Sequence, residues 1–159
     1  MKRRLFAWLL LVLPLGALAT PPGVLRLDAK APMADTYKAV STALEDARFW
    51  VVFEADLGTS MAGFAERWGD DLNRNALDGI RSIVVCNAWY ANKVSNADPD
   101  LLALCPLRVN LVEKEGVTRV LFARPTVIAA GSPGIAVVQE IEDTISAALR
   151  AGVAVAEGR

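Results

Sequence analysis

Apolar and polar positions change period several times along this chain, and each change marks an element. Leu25 and Leu27 alternate with Arg26 and Asp28, the period of a short edge strand within the otherwise exposed, proline-rich stretch from Thr20 to Pro32. From Met33 the apolar residues recur every three or four positions, through Tyr37, Val40, Leu44 and Ala47. That spacing predicts a helix, with Asp35 or Asp28 as its cap. Phe49 to Leu57 reads as a strand. Uninterrupted alternation puts Phe49, Val51, Phe53, Ala55 and Leu57 on the core face and Trp50, Val52, Glu54 and Asp56 on the other. After the turn at Gly58-Thr59-Ser60, Met61, Phe64, Trp68 and Leu72 form a helical stripe, the pattern of a helix packed against a sheet.

Ile80 to Val85 is nearly continuous, β-branched and apolar, as a central strand is. Cys86 ends it, and Asn87 is placed to cap a helix from Ala88 to about Ala97. Asp98-Pro99-Asp100 stops that helix, because the residue before a proline avoids helical backbone. Leu101 to Leu104 adds one further turn. Leu107 to Glu113 and Val117 to Ala123 then form a hairpin about Gly116, which takes positive φ at no steric cost. A loop from Arg124 to Gly134 leads into a last helix, Ile135 to about Leu149. Val138, Ile141, Ile145 and Leu149 line its dry side, and Glu140, Glu142 and Asp143 its wet side. Beyond Gly152 the chain is expected to fray, which makes 153–159 a flexible tail. With the Leu25–Asp28 alternation left as an optional edge strand, the sum is a single-domain α+β fold: about four strands in a largely antiparallel sheet, with helices packed on one face.

The residues before Thr20 follow a different rule. Lys2, Arg3 and Arg4 precede an apolar run from Leu5 to Leu15, and the segment closes on Ala17-Leu18-Ala19. This is the build of a cleaved export leader, residues 1–19, and its apolar run is short for a permanent span. The mature protein is thus expected in the periplasm or secreted, without stable membrane insertion. An N-terminal segment, 20–34, then leads into the domain proper, 35–152. The leader holds three of the 17 basic residues, leaving 14 against 18 acidic ones. That balance speaks against a nucleic-acid surface, which depends on clustered Lys and Arg.

The chain has no histidine. Catalytic triads, most zinc and copper sites and ordinary haem ligation therefore lack their usual ligand or base, and no cofactor or metal site is expected. Cys86 and Cys105 stand at strand boundaries in a chain bound for an oxidising compartment. Bonded to each other, they would close a loop of about 20 residues and stabilise the fold by roughly 3 kcal/mol. Separate reduced thiols, or a redox-active or metal-ligating pair, are the alternatives. Around them cluster Asn87, Trp89 and Tyr90, adjacent aromatics that cannot both point inward. Tyr90 shares a side with Asn87, Ala91 and Val94 and is expected to be the buried one; Trp89 then lines a cleft or a subunit contact. Glu54 and Asp56 form either an acid–base pair or a solvated strand face. Arg108, Arg119 and Arg124 are either an anion site or scattered surface charge.

Ile83-Val84-Val85-Cys86-Asn87, Tyr90-Ala91, Asp98-Pro99 and Cys105-Pro106-Leu107-Arg108-Val109 together resemble the DUF302 family, over roughly Asp35 to Leu149. The resemblance implies a compact α+β domain with helices on an antiparallel sheet, commonly a homodimer. It brings no established catalytic residues. Two departures stand out: the second cysteine precedes a proline rather than following one, and Arg48 stands where the family tends to place glycine, which suggests a wider turn. The resulting expectation is an exported, non-enzymatic binding or accessory module of unknown ligand, homodimeric, with its site near Cys86, Asn87, Trp89, Tyr90 and Cys105. The alternatives are a thiol-dependent or redox protein and a purely structural homodimer whose contact is the sheet face.

Overall fold

A computed structural model describes residues 20–159, so the expected leader lies outside the described residues. Five strands form one sheet: β1 (Val24–Ala29), β2 (Trp50–Asp56), β3 (Gly79–Cys86), β4 (Leu107–Lys114) and β5 (Val117–Ala123). Their spatial order is β1-β5-β4-β3-β2, and every neighbouring pair is antiparallel. The fifth strand is the Leu25/Leu27 alternation, which pairs with β5 from Val24 opposite Ala123 to Ala29 opposite Thr118. The β4–β5 hairpin turns through Glu115 at φ 53° and Gly116 at φ 73°, both positive, as a two-residue turn matched to strand twist demands.

Helices α1 (Met33–Asp46) and α6 (Ile135–Ala156) pack on each other across one sheet face, with α4 (Ala88–Ala97) beside them. The core lies between. Ile83, Val85, Val109, Leu111, Val120 and Phe122 look up from the sheet, and Val40, Leu44, Ile145 and Leu149 look down from the helices; all are essentially sealed from water. The inner faces of β3, β4 and β5 therefore follow simple alternation, which is why the pattern there identifies them. α1 and α6 approach closely at Gly152, where an added Cβ would stand 2.8 Å from the Val40 Cα.

Alternation fails in β2. The pairing with β3 shifts between Val51 and Phe53, so one extra residue is accommodated at Val52. A bulge inverts the facing of everything beyond it. Phe53 lies opposite Val84 and is 62% exposed, whereas Glu54 and Asp56 lie opposite the inward-facing Ile83 and Arg81. Phe53 and Ala55 thus share the outer sheet face with Trp50, contrary to the unbroken pattern.

The stripe Met61–Phe64–Trp68–Leu72 does not form one packed helix either. Asp56 caps a helix that starts at once, α2 (Leu57–Ala62), its Oδ1 accepting the Thr59 N–H at 2.9 Å. Gly63 ends it, and α3 (Ala65–Trp68) and a 3-10 turn (Gly69–Asp71) follow, none with a buried residue. Phe64 and Trp68 stack on each other, centroids 4.8 Å apart, instead of entering the core.

Two further expectations change at the C-terminus. Glu142 is buried, not wet: the Thr126 N–H and Oγ1 donate to its Oε2 at 3.1 and 2.6 Å, and Arg124 stands 3.9 Å from Oε1. These partners offset the cost of removing a carboxylate from water, and they fix α5 (Pro125–Ile128) against α6. The last helix also continues past Gly152 to Ala156, with Val153 buried and Glu157 accepting the Lys30 N–H at 2.9 Å. The segment read as a loose tail is thus mostly helix.

Candidate functional site

Cys86, Asn87, Tyr90 and Cys105 do converge, where β3 ends, α4 begins and β4 is about to start. The Asn87 Oδ1 accepts the Tyr90 N–H at 3.1 Å and caps α4, while its Nδ2 donates to the Arg48 carbonyl at 2.9 Å. Both ends of the side chain are therefore engaged in joining α4 to the α1–β2 turn. Arg48 itself adopts φ 64°. The arginine takes the left-handed conformation that glycine adopts freely and bears its strain, on the order of 1–2 kcal/mol.

Tyr90 is half-buried, its ring stacked on Phe49 with centroids 5.5 Å apart. Its hydroxyl donates to Glu140 Oε1 at 2.9 Å, and Lys93 Nζ donates to Oε2 at 2.6 Å. Those two donors hold the Glu140 carboxyl below the usual glutamate range. Trp89 points the other way, is 66% exposed, and takes no part in this cluster.

Both cysteines carry free, half-buried thiols. This corrects the expectation of a disulfide, and the strand register supplies the reason. Val85 is the last β3 residue paired with β4, opposite Leu107. Cys86 closes β3 beyond its last pair with β4, and Cys105 lies before β4 begins at Leu107, so no ladder pairing sets the two side chains opposite each other. The correction also removes the basis for a disulfide-based mechanism. The void they share with Asn87 and Tyr90 measures only about 20 Å3, room for one water at most. Burial, and secondarily the neighbouring Cys86, pushes the Cys105 thiol above its ordinary 9.0. A thiol so placed is protonated near neutral pH and is a poor nucleophile. Iodoacetamide is accordingly expected to label Cys105 in the native protein at least about tenfold more slowly than in urea. Equal rates, read by peptide mass, would contradict that burial.

The other candidates separate. Glu54 and Asp56 do share the inner face after the bulge, but each has its own neighbour. Asp56 caps α2, and Glu54 lies beside Tyr37, whose phenol is raised above 10.0 by burial first and by Glu54 second. Arg119 faces Asp28 at 3.6 Å, Arg124 faces Glu142 at 3.9 Å, and Arg108 stands opposite Val84, four positions along β4 from Val112, the residue paired with Arg119, so the three arginines do not assemble an anion site. Among the described residues no group of three or more Cys, Asp or Glu is placed to hold a metal ion, and no helix is long and apolar enough to cross a membrane.

Larger spaces lie elsewhere. A cleft of about 470 Å3 opens at the opposite end of β3, walled by Met33, Asp56, Met61, Arg81 and Glu113 among others. These residues come from five separate elements, and the only hint in the sequence is the polar break after Leu72.

Compared with known proteins, residues 25–152 match the family model described as a domain of unknown function, DUF302. None of the curated proteins compared is a match. A solved structure, an uncharacterized conserved DUF302 protein from Bacillus stearothermophilus, superimposes with a TM-score of 0.70 over 82% of this chain and 98% of its own. At 18% identity that likeness concerns the fold. With four-fifths of its length matched by the family model and the same α+β fold in a solved representative, the chain belongs to the DUF302 family.

Proposed function

We propose that this is an exported binding or accessory module that acts as a homodimer joined through its open sheet face. The observation that carries the reading is the apolar ground on that face. The bulge at Val52 brings Phe53 round to stand with Trp50, and the two are 62% and 57% exposed beside the half-buried Val84. Large aromatics side by side on a sheet face with no helix over them are costly in water and mark contact surfaces. An apolar patch is also self-complementary under a twofold axis, as an isologous contact requires. Towards β1 the same face turns charged, with Arg26 and Arg119 both paired to Asp28, which suits a polar rim.

The test uses protein recovered from the periplasm. Its intact mass is expected to lack residues 1–19, and it is expected to sediment as a dimer at micromolar concentration. Phe53→Glu and Trp50→Glu should each weaken the dimer by roughly thirtyfold or more, since central aromatic anchors carry about 2 kcal/mol and upwards. The circular dichroism of the monomers should not change. A wild-type monomer at the highest concentration measured, or dimers indifferent to both substitutions, would overturn the reading.

A further inference from the structure

We propose that the cleft beneath residues 57–78 is a small-molecule site for an amphipathic organic cation: a short apolar body carrying one ammonium head. It is separate from the sheet-face contact, since its inner-facing walls Arg81 and Glu113 lie on the helix-covered side of the sheet.

The volume comes first. At about 470 Å3 the cleft falls inside the roughly 300–1,000 Å3 of small-molecule sites, whereas the cysteine void holds about 20 Å3. Its walls come next. Met33 rises from the start of α1 and Met61 descends from α2, with Leu72 and Leu77 contributed by the covering segment. Thioether side chains are flexible and polarizable, and adapt to apolar bodies of irregular shape.

The covering segment is a strap tied at both ends. At one end the Asp56 Oδ1 accepts the Thr59 N–H. At the other, the Asn73 side chain clasps Leu77, donating to its carbonyl at 2.8 Å and accepting its N–H at 3.0 Å. Lys114 Nζ donates to the Asn75 carbonyl at 2.9 Å, and Asp78 Oδ2 accepts the Glu115 N–H at 2.6 Å. Between these ties nothing in α2, α3 or the 3-10 turn is buried. The strap therefore spans the cleft without filling it.

Charge selects the ligand. Three carboxylates, Asp56, Asp78 and Glu113, line the cleft against one guanidinium, Arg81. Arg81 already lies over the Tyr37 ring, 5.1 Å from its centroid, and stands opposite Asp56 across β2 and β3. Asp56 and Asp78 are each partly engaged by a backbone N–H. Glu113, by contrast, has no hydrogen-bonded or ion-paired side-chain partner among the described residues. An anion entering here meets net repulsion, while a cation finds an unpaired carboxylate above an apolar wall. The carboxylates do not close on a point as metal ligands do. A bare divalent ion is thus a poorer fit than a charge carried at the end of an apolar body.

The experiment is a two-dimensional amide NMR titration of the mature protein with hexyltrimethylammonium, and with hexanoate as the chain-matched anion. The cation is expected to shift the Gly58, Gly79 and Ile80 amides saturably. Hexanoate should not, and Glu113→Gln should weaken the cation by roughly fivefold or more while leaving the remaining spectrum in place. Met61→Trp, which fills the cleft from its half-buried wall, should abolish the shifts. Absence of saturable shifts at millimolar cation, equal response to hexanoate, or unchanged affinity in Glu113→Gln would each overturn the proposal.

Discussion

Gly152→Val is expected to destabilise the domain by more than about 3 kcal/mol, and Gly152→Ala by roughly 2 kcal/mol. A Cβ on Gly152 would stand 2.8 Å from the Val40 Cα and 3.1 Å from the Ala39 carbonyl oxygen. Neither is a side-chain end that can swing aside, so relief requires α1 and α6 to separate. Those helices hold Val40, Leu44, Ile145 and Leu149 against the sheet, and moving them apart loosens the whole upper layer. Alanine recovers about 1 kcal/mol of helix propensity over glycine, which offsets part of the strain but does not exceed it. Valine recovers less, and its methyl groups have still less room. Val155→Ala, at a position 65% exposed on the same helix, serves as control and should stay within about 0.5 kcal/mol. Urea melts of the three variants would settle the order; a Gly152→Val protein within about 1 kcal/mol of wild type would mean the helices are not held as closely as drawn.

Gly152 also shows why some features were legible in the sequence and others were not. A glycine near the end of an amphipathic helix reads locally as a stop. Its actual role, closeness to α1, depends on a helix more than a hundred residues earlier. Asn87 as a cap, Gly116 in a hairpin and the apolar β3 were readable because each is decided by its immediate neighbours. The facing of β2 was not, since the bulge at Val52 is set by registration on β3 and no glycine marks it. Glu142 looked solvated for the same kind of reason: its partner Thr126 lies outside the helical period. The sequence brought Cys86 and Cys105 to one neighbourhood, but a bond depends on a register that proximity alone does not determine. The acid-lined cleft, assembled from five elements, leaves only the polar break after Leu72 as a local trace. Tyr90 and Trp89, in contrast, take the sides their 100° separation on α4 implies.

That last pair leads to the second large effect, which falls on their neighbour. Phe49→Ala is expected to cost roughly 3–5 kcal/mol. Phe49 is 1% exposed, turned inward by the left-handed Arg48 just before β2 begins, and stacked on Tyr90. Its removal leaves a cavity that cannot close, because the ring sits where three connections meet: the α1–β2 turn, the Asn87 cap and the α4–α6 contact. Asn87 ties the first two together through the Arg48 carbonyl, and Tyr90 ties α4 to α6 through Glu140. Tyr90→Phe keeps the stack and removes only a hydroxyl bonded to an exposed carboxylate, so it should cost about 1 kcal/mol or less. Trp89→Ala, at 66% exposure, should change stability by no more than about 0.5 kcal/mol. Thermal melts of the three variants then rank the site by packing alone. A Trp89→Ala loss matching that of Phe49→Ala would show the exposed indole to be buried in the assembled protein, and would move the subunit contact from the sheet face to α4.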